Sequence, residues 1–258
     1  MLFAPGTRPT RGALLDFVSQ QHSVSLSHDP VDEAGPHPVA ADGEALRRAE
    51  ADAAPHDQLW IELLRDGLTF DLAGLAPGQS LTPPVIARRF DFAAHPANAH
   101  LEVLGIAPGP HLSAGARTMP VLRGMLALAR DLALHFEDLQ AVFWPPSGSA
   151  IGRRFFESVV TAWLEGGAFP ALGLIGFDET ADGALQSIGL AFWIGQELRI
   201  EPPLSNDKVA ATRLGVRLIN QLVIVGGITE SERIIAPDGT RLVMQTSRNS
   251  EYIRVRRE

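Results

Sequence analysis

The residues most suggestive of chemistry lie in one stretch, AVFWPPSGSAIGRRFF at positions 141–156. Ser147, Ser149, Arg153 and Arg154 set hydroxyl and guanidinium groups beside what reads as a helix start. Unpaired N–H groups and the positive dipole end there would suit a small anion. A phosphate-cradling loop needs G-x-x-x-x-G-K-[ST]; Gly148 and Gly152 stand too close together and no lysine follows. A nucleophile elbow needs G-x-S-x-G, and Ser149 sits one place early for it. The dinucleotide fingerprint G-x-G-x-x-G is missing after every predicted strand. The preferred reading is therefore a serine-capped helix start followed by two solvated arginines, because nearly every helix needs such a start.

Paired carboxylates are the next source of chemistry, since closeness in the fold does not require closeness in sequence. Glu197 and Asp178 are the candidates for an acid–base group. Glu197 and Glu201 are expected to share a strand face with Arg199 between them, and Asp178, Glu179 and Asp182 crowd one connector. Charged alternation on an exposed strand face is the preferred explanation of these residues, and Asp71 is read in the same way. The eight histidines form neither H-x-H nor H-E-x-x-H, so no metal site is expected. Lys208 is the single lysine and falls in what reads as the exposed first turn of a helix, which disfavours amine nucleophile chemistry. Cysteine is absent, which removes thiolate catalysis, disulfides and cysteine-bound metal together. No cofactor is implied.

A net charge of -8 over 258 residues argues against a nucleic-acid partner, whose phosphates demand a basic surface. Only the terminal RVRRE is locally basic. With no apolar run of eighteen residues and no secretory-type leader, a soluble cytoplasmic protein is expected, not a membrane one.

The elements that would hold these residues follow from periodicity. A short strand at Leu2 and Phe3, a helix over 11–21 and a strand at 24–26 open the chain. Residues 29–57, rich in acid, alanine and proline, read as a mobile insertion with one short helix near 44–52. Asp66-Gly67 marks a hairpin between strands over 59–64 and 68–72. A proline-rich link then gives a soft boundary near 94–99. Beyond it come a strand over 101–106, a helix over 118–136, a strand over 139–144, a helix over 149–164, strands over 172–177, 189–194 and 196–201, a helix over 207–225 capped by Gly226-Gly227, a hairpin turning at 237–239 and a last strand. Trp60, Trp144, Trp163 and Trp193 all fall at core-facing positions of these elements.

Mixed order with several hairpins predicts an α+β fold, with mixed, largely antiparallel sheets and helices on one face. Two ferredoxin-like halves would fit, divided as residues 1–94, carrying the insertion, and 95–258.

The run Val142-Phe143-Trp144-Pro145-Pro146-Ser147, and Gly189 to Ile200 (GLAFWIGQELRI), resemble an uncharacterised bacterial family classed only as a domain of unknown function. The resemblance spans about residues 100–227. Its pattern is a strand ending in a W-P-S-like turn, a helix, and a later G-L-x-x-F-G-x-x-E-L-E-I-like strand. Ile194 is inserted relative to F-G and Arg199 replaces the second acid, so a two-carboxylate role does not carry over. The family supplies no activity; it implies action through contacts.

Function is thus expected to be non-enzymatic, a cytoplasmic binding or regulatory protein, immunity-type for example, whose acidic surface suits a basic protein partner. The alternative is a small-anion or small-ligand enzyme using a cleft between the halves, with Ser147, Ser149, Arg153 and Arg154 binding and Glu197 or Asp178 exchanging protons.

Overall fold

A computed structural model describes residues 1–30, 59–92, 100–236 and 238–258. In chain order its strands are β1 (Leu2–Phe3), β2 (Val24–His28), β3 (Leu59–Arg65), β4 (Leu68–Leu75), β5 (Arg88–Phe90), β6 (Glu102–Val103), β7 (Gly105–Pro108), β8 (Leu139–Trp144), β9 (Ser149–Gly152), β10 (Gly176–Glu179), β11 (Leu185–Ile188), β12 (Glu197–Ile200), β13 (Glu232–Ile235), β14 (Arg241–Thr246) and β15 (Tyr252–Arg257). Four longer helices are α1 (Arg11–Ser19), α2 (Met119–His135), α3 (Arg153–Leu164) and α4 (Lys208–Val225). The class is α+β, as the order of elements predicts. The chain gathers into two compact units, Met1–Pro84 with His95–Gln140, and Val85–Ala94 with Ala141–Glu258. Residues 85–92 join the second because Arg88, Arg89 and Phe90 pair in parallel with Ser149, Ala150 and Ile151. Most of the expected insertion and all of the expected boundary at 94–99 lie outside the described residues.

In the first unit β2, β3, β4 and β7 form an antiparallel meander. Asp66 and Gly67 both take positive φ, 50° and 78°, which matches the twist of the strands they join. Alternation then sends Ile61, Leu63, Phe70 and Leu72 inward, each no more than 1% exposed. Helices α1 and α2 cover that face. Thr10 accepts from the Ala13 N–H at 3.1 Å to start α1, whose Leu14 and Phe17 are buried, and Phe17 meets His135 of α2 at a ring distance of 5.2 Å. A largely buried ion pair between Arg65 and Asp131 joins sheet and helix. A meander places sequential strands side by side, unlike the interleaved strands of a ferredoxin-like half.

In the second unit β8 and β9 form a tight antiparallel pair, with β5 beyond β9. A six-stranded sheet runs β10-β11-β12-β15-β14-β13, antiparallel except where β12 meets β15. Leu198, Ile200, Leu242, Met244, Ile253 and Val255 form its inner face, each no more than 1% exposed. Helix α4 packs over that face, and Gly215 lets it approach: a Cβ there would meet the Phe177 ring at 2.8 Å. Asp207 caps α4 by accepting from Val209 and Ala210, both at 3.0 Å.

Two expected strands differ. Residues 191–194 form a single helical turn, while residues 171–174 make an irregular bend in which Gly173 takes a φ of 99°, so that the first strand begins only at Gly176 and runs to Glu179. At 191–194 the preference is set by the carboxylate of Glu197, a few residues further on, described next.

Candidate functional site

The serine turn is built unlike a helix start. Pro145–Ser147 make one 3-10 turn, Gly148 takes a left-handed φ of 63°, and Ser149–Gly152 continue as β9, so α3 begins only at Arg153. Sheet pairing on both sides of β9 outcompetes helix there, a nonlocal effect. Neither serine caps α3. Ser147 and Ser149 are 1% and 2% exposed, and the Ser147 hydroxyl donates to Ser149 Oγ at 2.9 Å. Arg153 donates to Glu157 at 3.0 Å, one helical turn on, while Arg154 faces solvent.

One further side chain braces this turn. Arg88 reaches from β5 to donate to the Ser147 carbonyl at 2.8 Å and to the Asp178 carboxylate. Asp178 is thereby an ion-pair partner, itself half exposed. Glu197 is an acceptor for four donors: the amide N–H groups of Gly189 at 2.8 Å, Leu190 at 3.2 Å and Ala191 at 3.1 Å, and the Ser187 hydroxyl. Three consecutive amides around one carboxylate are an anion nest filled from within, and they hold residues 191–194 in a helical turn. The Ser187 hydroxyl in turn accepts from Leu198 N at 2.7 Å. Backbone at Gly189 packs against Pro146, so the serine turn and the Glu197 cap are neighbours through main chain, not through converging reactive atoms. Trp193, carried on that helical turn, stacks on Trp144 at 5.6 Å and meets Phe169 edge-on at 4.9 Å.

A different set of groups gathers on the outer face of the meander in the first unit. Alternation on β3 places Trp60, Glu62 and Leu64 outward; β4 adds Thr69 and Asp71. Glu62 stands directly opposite both Asp71 and His28. The Trp60 ring lies 5.3 Å from that of His28. Thr69 Oγ1 and His111 Nε2 are hydrogen-bonded at 3.0 Å. A Cβ at Gly109 would overlap Thr69 Oγ1 and lie 3.1 Å from Glu62 Oε2 and 3.2 Å from His111 Cε1. Only glycine there lets hydroxyl, carboxylate and imidazole close around one point.

The electrostatics of this cluster are unbalanced. Asp71 Oδ1 is shut off from solvent and accepts no hydrogen bond from the described residues. Burial pushes the Asp71 carboxyl above its ordinary range, the Glu62 charge pushes it further, and His111 and His28 pull the other way. Like charges directly opposite one another destabilise a sheet, so the pair costs stability. Trp60 and Leu64 beside it are 37% and 36% exposed. Among the described residues no group of three His, Asp or Glu is arranged to hold a metal. Trp60 is expected to face the core, but Ile61 and Leu63 take the inward positions of β3 and turn it outward; the approach of His28 and His111 has no sequence signal.

No described helix is long and apolar enough to cross a membrane. No family model matches the chain, and no curated protein or solved structure is significantly similar to it, so the resemblance over residues 100–227 rests on its short motifs alone.

Proposed function

We propose that this protein works by binding, and that it takes a basic protein partner on the outer face of the β2-β3-β4-β7 sheet. The observation that carries this reading is the opposed Glu62–Asp71 pair flanked by half-exposed Trp60 and Leu64. An arginine or lysine docked over the two carboxylates would relieve their repulsion, while its aliphatic stem covers Trp60. The net charge of -8 would speed encounter with such a partner. A regulatory or immunity-type role in the cytoplasm fits this chemistry. Turnover at Ser147, Ser149, Glu197 or Asp178 is the weaker reading, because their polar atoms already serve the serine turn, the Glu197 nest and the Arg88 ion pair.

The test is affinity capture with the purified protein, followed by the same capture with Trp60→Ala and with Glu62→Gln/Asp71→Asn. The expected result is a basic partner retained by the wild type, released by moderate salt and lost with both variants. Capture of nothing above background, or of a partner held equally by the variants, overturns the reading.

A further inference from the structure

The six-stranded sheet of the second unit is covered by α4 on one face, and alternation loads the other with arginine. On β15 the inward Ile253 and Val255 are 0% exposed, so Tyr252, Arg254 and Arg256 project together from the opposite face. The turn between β14 and β15 brings Arg248, Ser247 and Asn249 to the same place, and Gln245 stands opposite Arg254. Together with Glu201 and Thr246 they line a groove of roughly 740 Å³. That size suits a small organic ligand.

Charge within the groove is lopsided. Among the described residues that line it Glu201 is the single carboxylate, and it lies 3.0 Å from Arg199 and 3.6 Å from Arg254. Arg256 donates to the neutral Gln245 amide at 2.8 Å. Arg248 has no partner among the described residues. Arg254 keeps 56% of its side chain exposed. Three guanidinium groups therefore face one carboxylate already shared with Arg199, on a chain whose net charge is -8. Guanidinium forks match phosphate oxygens two at a time, and Arg254 and Arg256 stand about 7 Å apart along the strand, placed to grip a chain of phosphates from one side. Tyr252, two positions before Arg254 on the same face, adds a ring that a planar base would cover.

We propose that this groove binds a nucleoside polyphosphate, with the phosphates on Arg248, Arg254 and Arg256 and the base against Tyr252. The occupant is a small molecule, not a nucleic acid strand, because the acidic bulk of the chain repels an extended polyanion beyond the groove. The inference uses no residue of the proposed partner face and stands or falls separately from it.

The experiment is calorimetric titration of the full chain with adenosine and guanosine triphosphates, inorganic triphosphate and a short single-stranded oligonucleotide, at low and moderate salt. At least one nucleotide is expected to bind more tightly than inorganic triphosphate and to weaken with salt. Arg254→Ala and Arg256→Ala should each weaken binding about tenfold. Tyr252→Leu should bring the nucleotide down to the affinity of inorganic triphosphate. All three side chains lie on the outer face, and circular dichroism of each variant establishes that it is folded before titration. Failure of both nucleotides to bind at millimolar concentration, equal binding of nucleotide and inorganic triphosphate, tighter binding of the oligonucleotide, or wild-type affinity in both arginine variants would each overturn the proposal.

Discussion

Replacing Glu197 with alanine should damage the second unit more than an ordinary strand substitution. Its carboxylate satisfies three backbone N–H groups and one hydroxyl, at distances of 2.8–3.2 Å for the amides. A single lost helix cap costs about 1 kcal/mol, and hydrogen bonds to a charged group contribute about 1.5–3 kcal/mol each before water replaces part of the loss. Water reaches the Ala191 end of the nest most easily, so a net cost of about 3 kcal/mol is expected, equivalent to roughly 6–12 °C in Tm. Glutamine keeps one acceptor oxygen and should recover about half of that. Chemical denaturation followed by tryptophan fluorescence reads this well, since Trp144, Trp163 and Trp193 form one ring cluster beside the nest and only Trp60 lies in the other unit. An alanine variant within about 0.5 kcal/mol of the wild type would refute the cap, because that is the range of surface changes that touch nothing.

Asp71→Asn should stabilise the protein at neutral pH. A carboxyl whose pKa is raised by folding binds its proton more tightly when folded, so stability falls as pH rises from the ordinary value of 3.8 through the raised one and stays lower above it. The gain from Asn should therefore vanish in acid, and a pH-independent difference between the two denaturation midpoints would contradict this account. Gly152→Ala should cost roughly 3 kcal/mol or more, because the new Cβ would overlap the Asp91 carbonyl oxygen and lie 2.8 Å from its carbon. Gly12→Ala is the contrasting case: the nearest atom is 3.9 Å away and the site is helical, so a thermal melt should show a gain of about 0.5–1 kcal/mol. Arg88→Met should cost about 1–3 kcal/mol by stranding the Ser147 carbonyl. Asp178→Asn should cost under about 1 kcal/mol because that carboxylate is 53% exposed, and urea unfolding of the pair should rank them in this order.

Alternation and periodicity carried much of the fold. Leu198 and Ile200 against Arg199 in β12, the Asp66-Gly67 hairpin, and the apolar faces of α2 and α4 with Gly226 closing the latter are all legible as local pattern, because each states which side of its own element meets the core. Local pattern failed where a partner outside the segment set the conformation. Residues 149–152 have the small and apolar composition of a helix start, yet Arg88–Phe90 and Ala141–Trp144 claim their backbone N–H and C=O groups for a sheet. Residues 191–194 read as strand, yet the Glu197 carboxylate binds the amides of Gly189, Leu190 and Ala191 and winds the run into a turn.

The candidate faces divide in the same way. That Glu62 and Asp71 belong to one hairpin, or that Arg254 and Arg256 share a side of a strand, follows from the order of the residues, because a pleated strand turns successive side chains to opposite faces. That Glu62 faces His28, that Thr69 holds His111 over Gly109, and that Arg248 joins the arginines of β15 are settled only when strands choose their neighbours and loops close over them. Strand choice depends on burying the apolar faces of the whole unit together, a sum over distant contacts that no short window of sequence contains.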